Sequence, residues 1–133
     1  MVATQSGVKV ASLLQVPDVR IAALCDVDQT FLRREAQPLK DRGLAVATHT
    51  DLRRVFDDKT IDAVVIATPN HWHGLATVWA CQAGKDVYVE KPDGHNIVEG
   101  QRMVAAMRKN KRVVQMGTQS RSSKHFLDAM EFI

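Results

Sequence analysis

Short apolar runs alternate along this chain with longer stretches of helical periodicity. Val19-Arg20-Ile21-Ala22-Ala23-Leu24-Cys25 reads as a buried strand that ends at Asp26. Residues 29 to 42 carry helix formers of mixed charge. Pro38 should break or kink that stretch, because proline has no amide to donate and its ring crowds the preceding turn. Gly43 marks its C-terminal end. Residues 44–48 form a short second strand. Thr50 stands where a cap is needed for a brief helix through Phe56. Asp62-Ala63-Val64-Val65-Ile66-Ala67 is the clearest strand, since it is apolar without interruption after Asp62, as a strand covered on both faces should be.

Residues 70–83 read as a helix: Trp72, Ala76, Trp79, Ala80 and Ala83 recur at helical spacing, and Gly84 follows as a stop. Residues 86–90 form the next strand. Asn96 and Glu99 have the spacing of a capping box and open a helix through Ile97, Val104 and Met107. Arg108, Lys109, Lys111 and Arg112 gather at its end, where the unpaired carbonyls favour cations. Residues 113–116 form a last strand before Gly117, and Ser122 to Ile133 begins another helix. Strands alternating with helices predict an α/β fold: a doubly wound parallel sheet of about five strands with helices on both faces. Ligands of such sheets bind beyond the carboxyl ends of the strands, so the residues just after each strand carry the functional question.

Composition narrows the classes. The chain has 133 residues, enough for one domain. Its net charge of +3 comes from 18 basic and 15 acidic residues that are interspersed, without the clustered basic face that nucleic acid requires. No run approaches the roughly 20 apolar residues of a membrane span. Residues 1–7 lack a charged start followed by an apolar stretch, so no signal peptide is read there and a cytoplasmic location is expected. A periplasmic location would need an export signal upstream. Cys25 and Cys81 lie in apolar runs outside any C-x-x-C pair and read as small buried hydrophobes.

Four strand ends carry polar clusters. Asp26-Val27-Asp28 follows the first strand. A carboxylate there can accept hydrogen bonds from both hydroxyls of an adenosine ribose, and it would repel a 2′-phosphate, favouring NAD over NADP. An aspartate there serves equally well as a helix cap. Thr68-Pro69-Asn70-His71-Trp72-His73 follows the third. Thr68 and Asn70 offer hydrogen-bonding groups beside a helix start, a site suited to phosphate or ribose oxygens, and Pro69 pre-sets the backbone. His71 and His73 are two residues apart, so on a helix they point to different faces and do not suggest a metal. A structural role at the helix start and a ligand contact both remain open for them. Glu90-Lys91-Pro92 follows the fourth strand. A charged pair after an apolar strand is costly unless used or paired. Glu90 neutralises Lys91, or else Lys91 donates to a substrate oxygen while Glu90 fixes a ribose or the lysine. Gly117-Thr118-Gln119-Ser120-Arg121 follows the last strand, as a linker or a ligand-facing loop.

Together, in this order, these clusters resemble the Gfo/Idh/MocA family, the group of glucose-fructose oxidoreductase and inositol dehydrogenase. The matching stretches are Ala23 to Asp28, Asp62 to His73, Ala83 to Pro92 and Val114 to Gln119. The Thr-Pro-Asn and Glu-Lys-Pro blocks at this spacing carry most of the resemblance, which runs from about Gly7 onward. It implies a two-domain enzyme that interconverts sugar or cyclitol alcohols and ketones by hydride transfer, with an N-terminal Rossmann domain and a C-terminal open sheet. The aspartate matching Asp26 would hold the adenosine ribose. The loop of Thr68, Pro69 and Asn70 would lie along the nicotinamide half. The lysine matching Lys91 would sit by the nicotinamide and touch the reacting hydroxyl, making it the expected catalytic contact. The expected cofactor contacts are Asp26, Thr68, Pro69, Asn70, His73, Glu90, Lys91 and Gln119, the expected cofactor is NAD ahead of NADP, and no metal is expected. A small sugar-like substrate and a homo-oligomer are expected of the full-length enzyme, with neither nucleic acid nor membrane as partner.

Two departures qualify this. The family's G-x-G-x-x-G loop and the strand before it are missing. Gly7 lies 19 residues before Asp26 and fits the third glycine, with residues 8–16 as the first helix, but the positions near Met1 and Ala3 hold no glycine. The chain also ends before the sheet domain that supplies the family's general acid/base. The expectation is therefore a protein cut short at both ends: residues 1–118 an incomplete Rossmann domain, residues 119–133 the start of the connection to a missing second domain. Such a polypeptide alone should be poorly stable and bind NAD weakly or not at all. Calorimetric titration checks this, and micromolar affinity would refute it.

Three other readings remain. A related branch of the same superfamily uses bound NAD to run a glycosidase by oxidation, elimination and reduction. A receiver-type regulatory domain also has a Thr after one strand and Lys-Pro after the next, but it needs a phosphoacceptor aspartate ending the strand of residues 44–48, where none stands. A non-catalytic remnant would bind nothing.

Overall fold

A computed structural model describes residues 7–132. The chain runs α1 (Gly7–Leu13), β1 (Ala23–Cys25), α2 (Gln29–Asp41), β2 (Ala47–His49), α3 (Leu52–Asp57) and β3 (Ala63–Ile66). A 3-10 turn (Asn70–Trp72), α4 (His73–Gln82), β4 (Asp86–Glu90), α5 (Ile97–Asn110), β5 (Val114–Gly117), a second 3-10 turn (Gln119–Ser122) and α6 (Lys124–Phe132) follow. Every strand pair is parallel, as the alternation predicts. β1 pairs with β2, and β3, β4 and β5 form a second sheet in that order. Among the described residues no strand joins β1 to β3, so the sheet is interrupted between them.

Side-chain alternation along the strands nevertheless builds one two-faced layer. Ala23 and Cys25 of β1 share a cluster with Val64, Ile66, Val87 and Val89, covered by Val55 and Phe56 of α3, Ala76 and Ala80 of α4, and Met103 and Ala106 of α5. Leu24 points the other way, into a cluster with Val10 of α1 and Leu32, Ala36 and Leu39 of α2, against which Val65 also packs. Each such aliphatic side chain contributes about 1.5–3 kcal/mol when fully buried. Both clusters thus draw on both sheets.

Several local expectations change. Pro38 does not end α2, which continues to Asp41. The proline sits in the last turns, so the single lost amide bond leaves only a few residues beyond it. The cap of α3 is Asp51 rather than Thr50: its carboxylate accepts from the Arg53 amide at 3.0 Å. The helix expected over residues 70–83 opens with the 3-10 turn and becomes α-helical at His73. The last helix starts at Lys124, after the second 3-10 turn. β1 covers only the end of its apolar run, and β2 runs over Ala47–His49 rather than residues 44–48, because the ladder pairs Ala23, Leu24 and Cys25 with Ala47, Thr48 and His49. Met1, Ala3 and Ile133 lie outside the described residues, while Gly7 opens α1.

The capping box at Asn96 and Glu99 forms. Asn96 Oδ1 accepts from the Glu99 amide at 3.0 Å, and the Glu99 carboxylate accepts from the His95 amide at 2.7 Å. Gly84, at φ 81°, ends α4 in the left-handed conformation open to glycine, and the Lys85 amide reaches back to the Ala80 carbonyl at 2.9 Å. Lys85 itself is buried. Its Nζ donates to the carbonyls of Asp58 at 2.5 Å and Ile61 at 2.7 Å, fastening the turn before β3 to the start of β4. Burial, with Lys59 adding to it, pushes the Lys85 ammonium below the usual lysine range.

Candidate nucleotide site at the strand ends

Within each sheet the parallel strands end on one edge: Asp26 follows β1 of the first sheet, and Thr68, Lys91 and Gln119 follow the strands of the second. Asp26 follows β1 directly, and its amide donates to the His49 carbonyl at 3.1 Å, so the pairing with β2 fixes where it leaves the sheet. Its Oδ1 accepts from the Asp28 amide at 2.9 Å. Asp28, not Asp26, caps α2, accepting from the amides of Thr30 at 2.8 Å and Phe31 at 3.2 Å. The capping role at this strand end thus falls to Asp28 and not to Asp26.

The ladder between β3 and β4 aligns Ile66 with Val89, so Thr68 and Lys91, each two residues on, emerge side by side. Pro69 and Asn70 are exposed. The hydroxyl of Thr68 is buried and has no hydrogen-bond partner among the described residues. A buried hydroxyl without a partner costs about 1–3 kcal/mol, and a ligand oxygen at this rim would satisfy it. That is the feature by which the residues present fit a nucleotide.

Glu90 ends β4 opposite Gly117 of β5. A Cβ on residue 117 would lie 2.8 Å from the Tyr88 hydroxyl and 3.0 Å from Glu90 Oε1, so glycine there lets both side chains lie over the β5 backbone. Gln119 Oε1 is 3.5 Å from the Tyr88 hydroxyl, at the limit of a hydrogen bond, which brings the loop after β5 to the same cluster. Lys91 and Pro92 are exposed beyond it.

His73 lies at the rim but in its floor. It is 2% exposed, with Nδ1 2.5 Å from the Pro92 carbonyl and Nε2 2.7 Å from the Thr68 carbonyl. His71 is exposed, so the two histidines do not converge. Among the described residues no three His, Cys, Asp or Glu side chains gather in a metal-binding group. Sequence reasoning missed Tyr88, which alternates with the buried Val87 and Val89. It also missed the carbonyl partners of His73. A cleft of about 730 Å³ lies between the loop after β4 and α5, lined among others by Asp93, Asn96, Gln101, Val104 and Arg108.

A parallel α/β layer with a carboxylate after β1 and a hydroxyl, a lysine and a glutamate after β3 and β4 is a dinucleotide-binding architecture of the Rossmann type. Residues 5–118 match the family model described as the oxidoreductase family with an NAD-binding Rossmann fold. The chain belongs to this Gfo/Idh/MocA family. It is 33% identical over 114 residues to inositol 2-dehydrogenase 1 of Saccharopolyspora erythraea, covering 85% of this chain and 33% of that protein. A glycosyl hydrolase family 109 protein of the same organism is 32% identical over 104 residues, covering 74% and 23%. In fold, the chain is similar to myo-inositol 2-dehydrogenase from Lactobacillus plantarum, with a TM-score of 0.77 at 24% identity over 90% of this chain and 34% of that one. The chain spans about a third of the length of the curated relatives it matches. The receiver-type reading ends here, since β2 stops at His49 and the nearby Asp51 is spent on its cap and on Arg53, 2.7 Å away.

Among the described residues no helix is long and apolar enough to cross a membrane.

Proposed function

We propose that this chain is the nucleotide-binding part of an NAD-dependent oxidoreductase acting on a sugar or cyclitol hydroxyl, residues 1–118 forming the incomplete Rossmann domain and residues 119–133 opening the connection to a substrate domain. The observation that carries the reading is the buried Thr68 hydroxyl, unpartnered among the described residues, just past the end of β3, with exposed Lys91 just past the neighbouring end of β4. The family match ends at residue 118, and α6 buries no side chain, which supports the division. The dehydrogenase names of the curated relatives support the substrate class. A cytoplasmic, homo-oligomeric full-length enzyme belongs to the same proposal.

Bound nicotinamide supplies the hydride acceptor. The chain's own residues orient and polarise. Asp26 accepts from the ribose hydroxyls through its remaining carboxylate oxygen, and its charge disfavours a 2′-phosphate, which selects NAD over NADP. Thr68 and Asn70 hold the nicotinamide half, with Glu90 and Gln119 flanking. Lys91 donates to the substrate oxygen whose carbon gives up hydride and holds that oxygen as the carbonyl forms, while the hydroxyl proton leaves to a general base that the proposed substrate domain supplies.

In the protein that completes this chain, Lys91→Ala should lower turnover about 100- to 1,000-fold, the range for loss of one donor to a reacting oxygen. NAD affinity should change little. Unchanged turnover removes Lys91 from the mechanism. The likeness to a glycosyl hydrolase family 109 protein favours one second reading, a glycosidase with recycled NAD. Net NADH formed in proportion to oxidised sugar marks the dehydrogenase; sugar released from a glycoside with no net NADH marks the other.

A further inference from the structure

His73 is the first residue of α4, almost fully buried, and faces two backbone carbonyls at once. Nδ1 meets the Pro92 carbonyl at 2.5 Å and Nε2 meets the Thr68 carbonyl at 2.7 Å. A carbonyl oxygen only accepts, so each ring nitrogen must donate. A neutral imidazole carries a single N–H and would turn a lone pair toward the other oxygen. Both contacts are satisfied together only when both nitrogens hold protons. Burial and the start of α4 both oppose a cation, so these two bonds have to offset that cost. The charged or titratable groups on the neighbouring segments are Glu90, Lys91 and Asp93 around the end of β4, Glu99 of α5 against Gly74, and His71 in the preceding turn.

The two carbonyls belong to the two loops that carry the proposed chemistry. Thr68 opens the Thr-Pro-Asn loop, and Pro92 directly follows Lys91. We propose that His73, protonated on both ring nitrogens, is the positioning residue that clamps these loops together and so sets where Lys91 stands relative to the Thr68 loop. The inference rests on the role of Lys91 proposed above. With 2% exposure and both nitrogens engaged, the ring acts through the loops and touches no ligand itself. A misplacement of about 1 Å by a residue outside the chemistry costs on the order of 100-fold in rate.

Two measurements test it. In nitrogen-15 NMR spectra of the unmodified chain at neutral pH, His73 should show two ring N–H signals, one near Thr68 and one near Pro92. One ring N–H signal overturns the clamp. In the completed enzyme, His73→Gln and His73→Asn keep one amide donor each but cannot span both carbonyls. Both should lower kcat about 100-fold while leaving the NAD dissociation constant within about threefold, well under the tenfold step that 1.4 kcal/mol represents. A merely structural histidine would reduce the amount of folded enzyme and leave the turnover of each folded site intact, and that result also overturns the proposal. Should these variants not fold, the ring protons decide it. If Lys91→Ala leaves turnover intact, the reading of the site fails while the NMR result still reports on the clamp itself.

Discussion

Glu90 and Gly117 face each other across β4 and β5, close enough that no side chain fits at 117 without moving Glu90 or Tyr88. The atoms in the way, the Tyr88 hydroxyl and Glu90 Oε1, are side-chain ends, so the strands themselves need not part. Gly117→Ala should cost only about 1 kcal/mol in urea denaturation, the lower end of overpacking. It should disturb the rim more than the fold. In the completed protein the NAD dissociation constant should rise about tenfold or more, equivalent to about 1.4 kcal/mol. A large stability loss with unaltered NAD affinity would contradict this placement of Glu90.

Asp28 caps α2, and the ribose contact proposed for Asp26 is a separate task at the same strand end. Asp28→Ala removes the cap of α2 and should destabilise the fold by about 1 kcal/mol. Asp26→Ala leaves that cap in place. It should leave the midpoint of denaturation nearly unchanged while lowering NAD affinity and narrowing the preference for NAD over NADP. Denaturation curves and cofactor titrations of the two variants separate the roles, and exchanged phenotypes would reverse the assignment.

Gly74 and Gly100 make a contrasting pair. A Cβ on residue 74 would lie 2.9 Å from Glu99 Cβ, an atom fixed to the α5 backbone, so α4 and α5 would have to separate. Gly74→Ala should cost about 1–3 kcal/mol. Residue 100, within α5, has open space around its Cβ position. Gly100→Ala should stabilise by about 0.5–1 kcal/mol through helix propensity. Equal effects of the two substitutions would contradict the close approach of α4 and α5.

Cys25 is buried behind Asp26, and burial first, then the charges of Asp26 and Asp51, pushes its thiol from the ordinary 9.0 up to about 11. It should react slowly with iodoacetamide at pH 8, where only thiolate attacks. The folded thiol holds its proton at a pH where the unfolded one has lost it. The stability this gives is complete below about 9 and is lost as pH rises to about 11. Replacing Cys25 with Ala should flatten the fall in stability over that window, as read by thermal denaturation at stepped pH. An unchanged slope would place its source elsewhere.

Residues bound by a one-dimensional rule were legible in the sequence. β3 and β4 follow from uninterrupted apolar runs, α5 from its capping box, and the end of α4 from Gly84. That Asp26, Thr68 and Lys91 come just after strands followed from the apolar runs before any coordinates. Features set by three-dimensional partners were not legible. Asp51 displaces Thr50 as a cap by one position, a choice made by the hydrogen-bond geometry of the Arg53 amide. Lys85 reads as a surface lysine until the carbonyls of Asp58 and Ile61 are seen to converge on it. His73 reads equally as a ligand contact or a helix-start residue, because its partners lie 5 and 19 residues away along the chain.

The most direct test of the account is a crystal structure of the protein with NAD bound. The account predicts the adenosine ribose hydroxyls within hydrogen-bond reach of the Asp26 carboxylate, the Thr68 hydroxyl satisfied by the ligand, and the Lys91 ammonium beside the nicotinamide. A dinucleotide seated over the cleft along α5, or one whose nicotinamide lies away from Lys91, would contradict it.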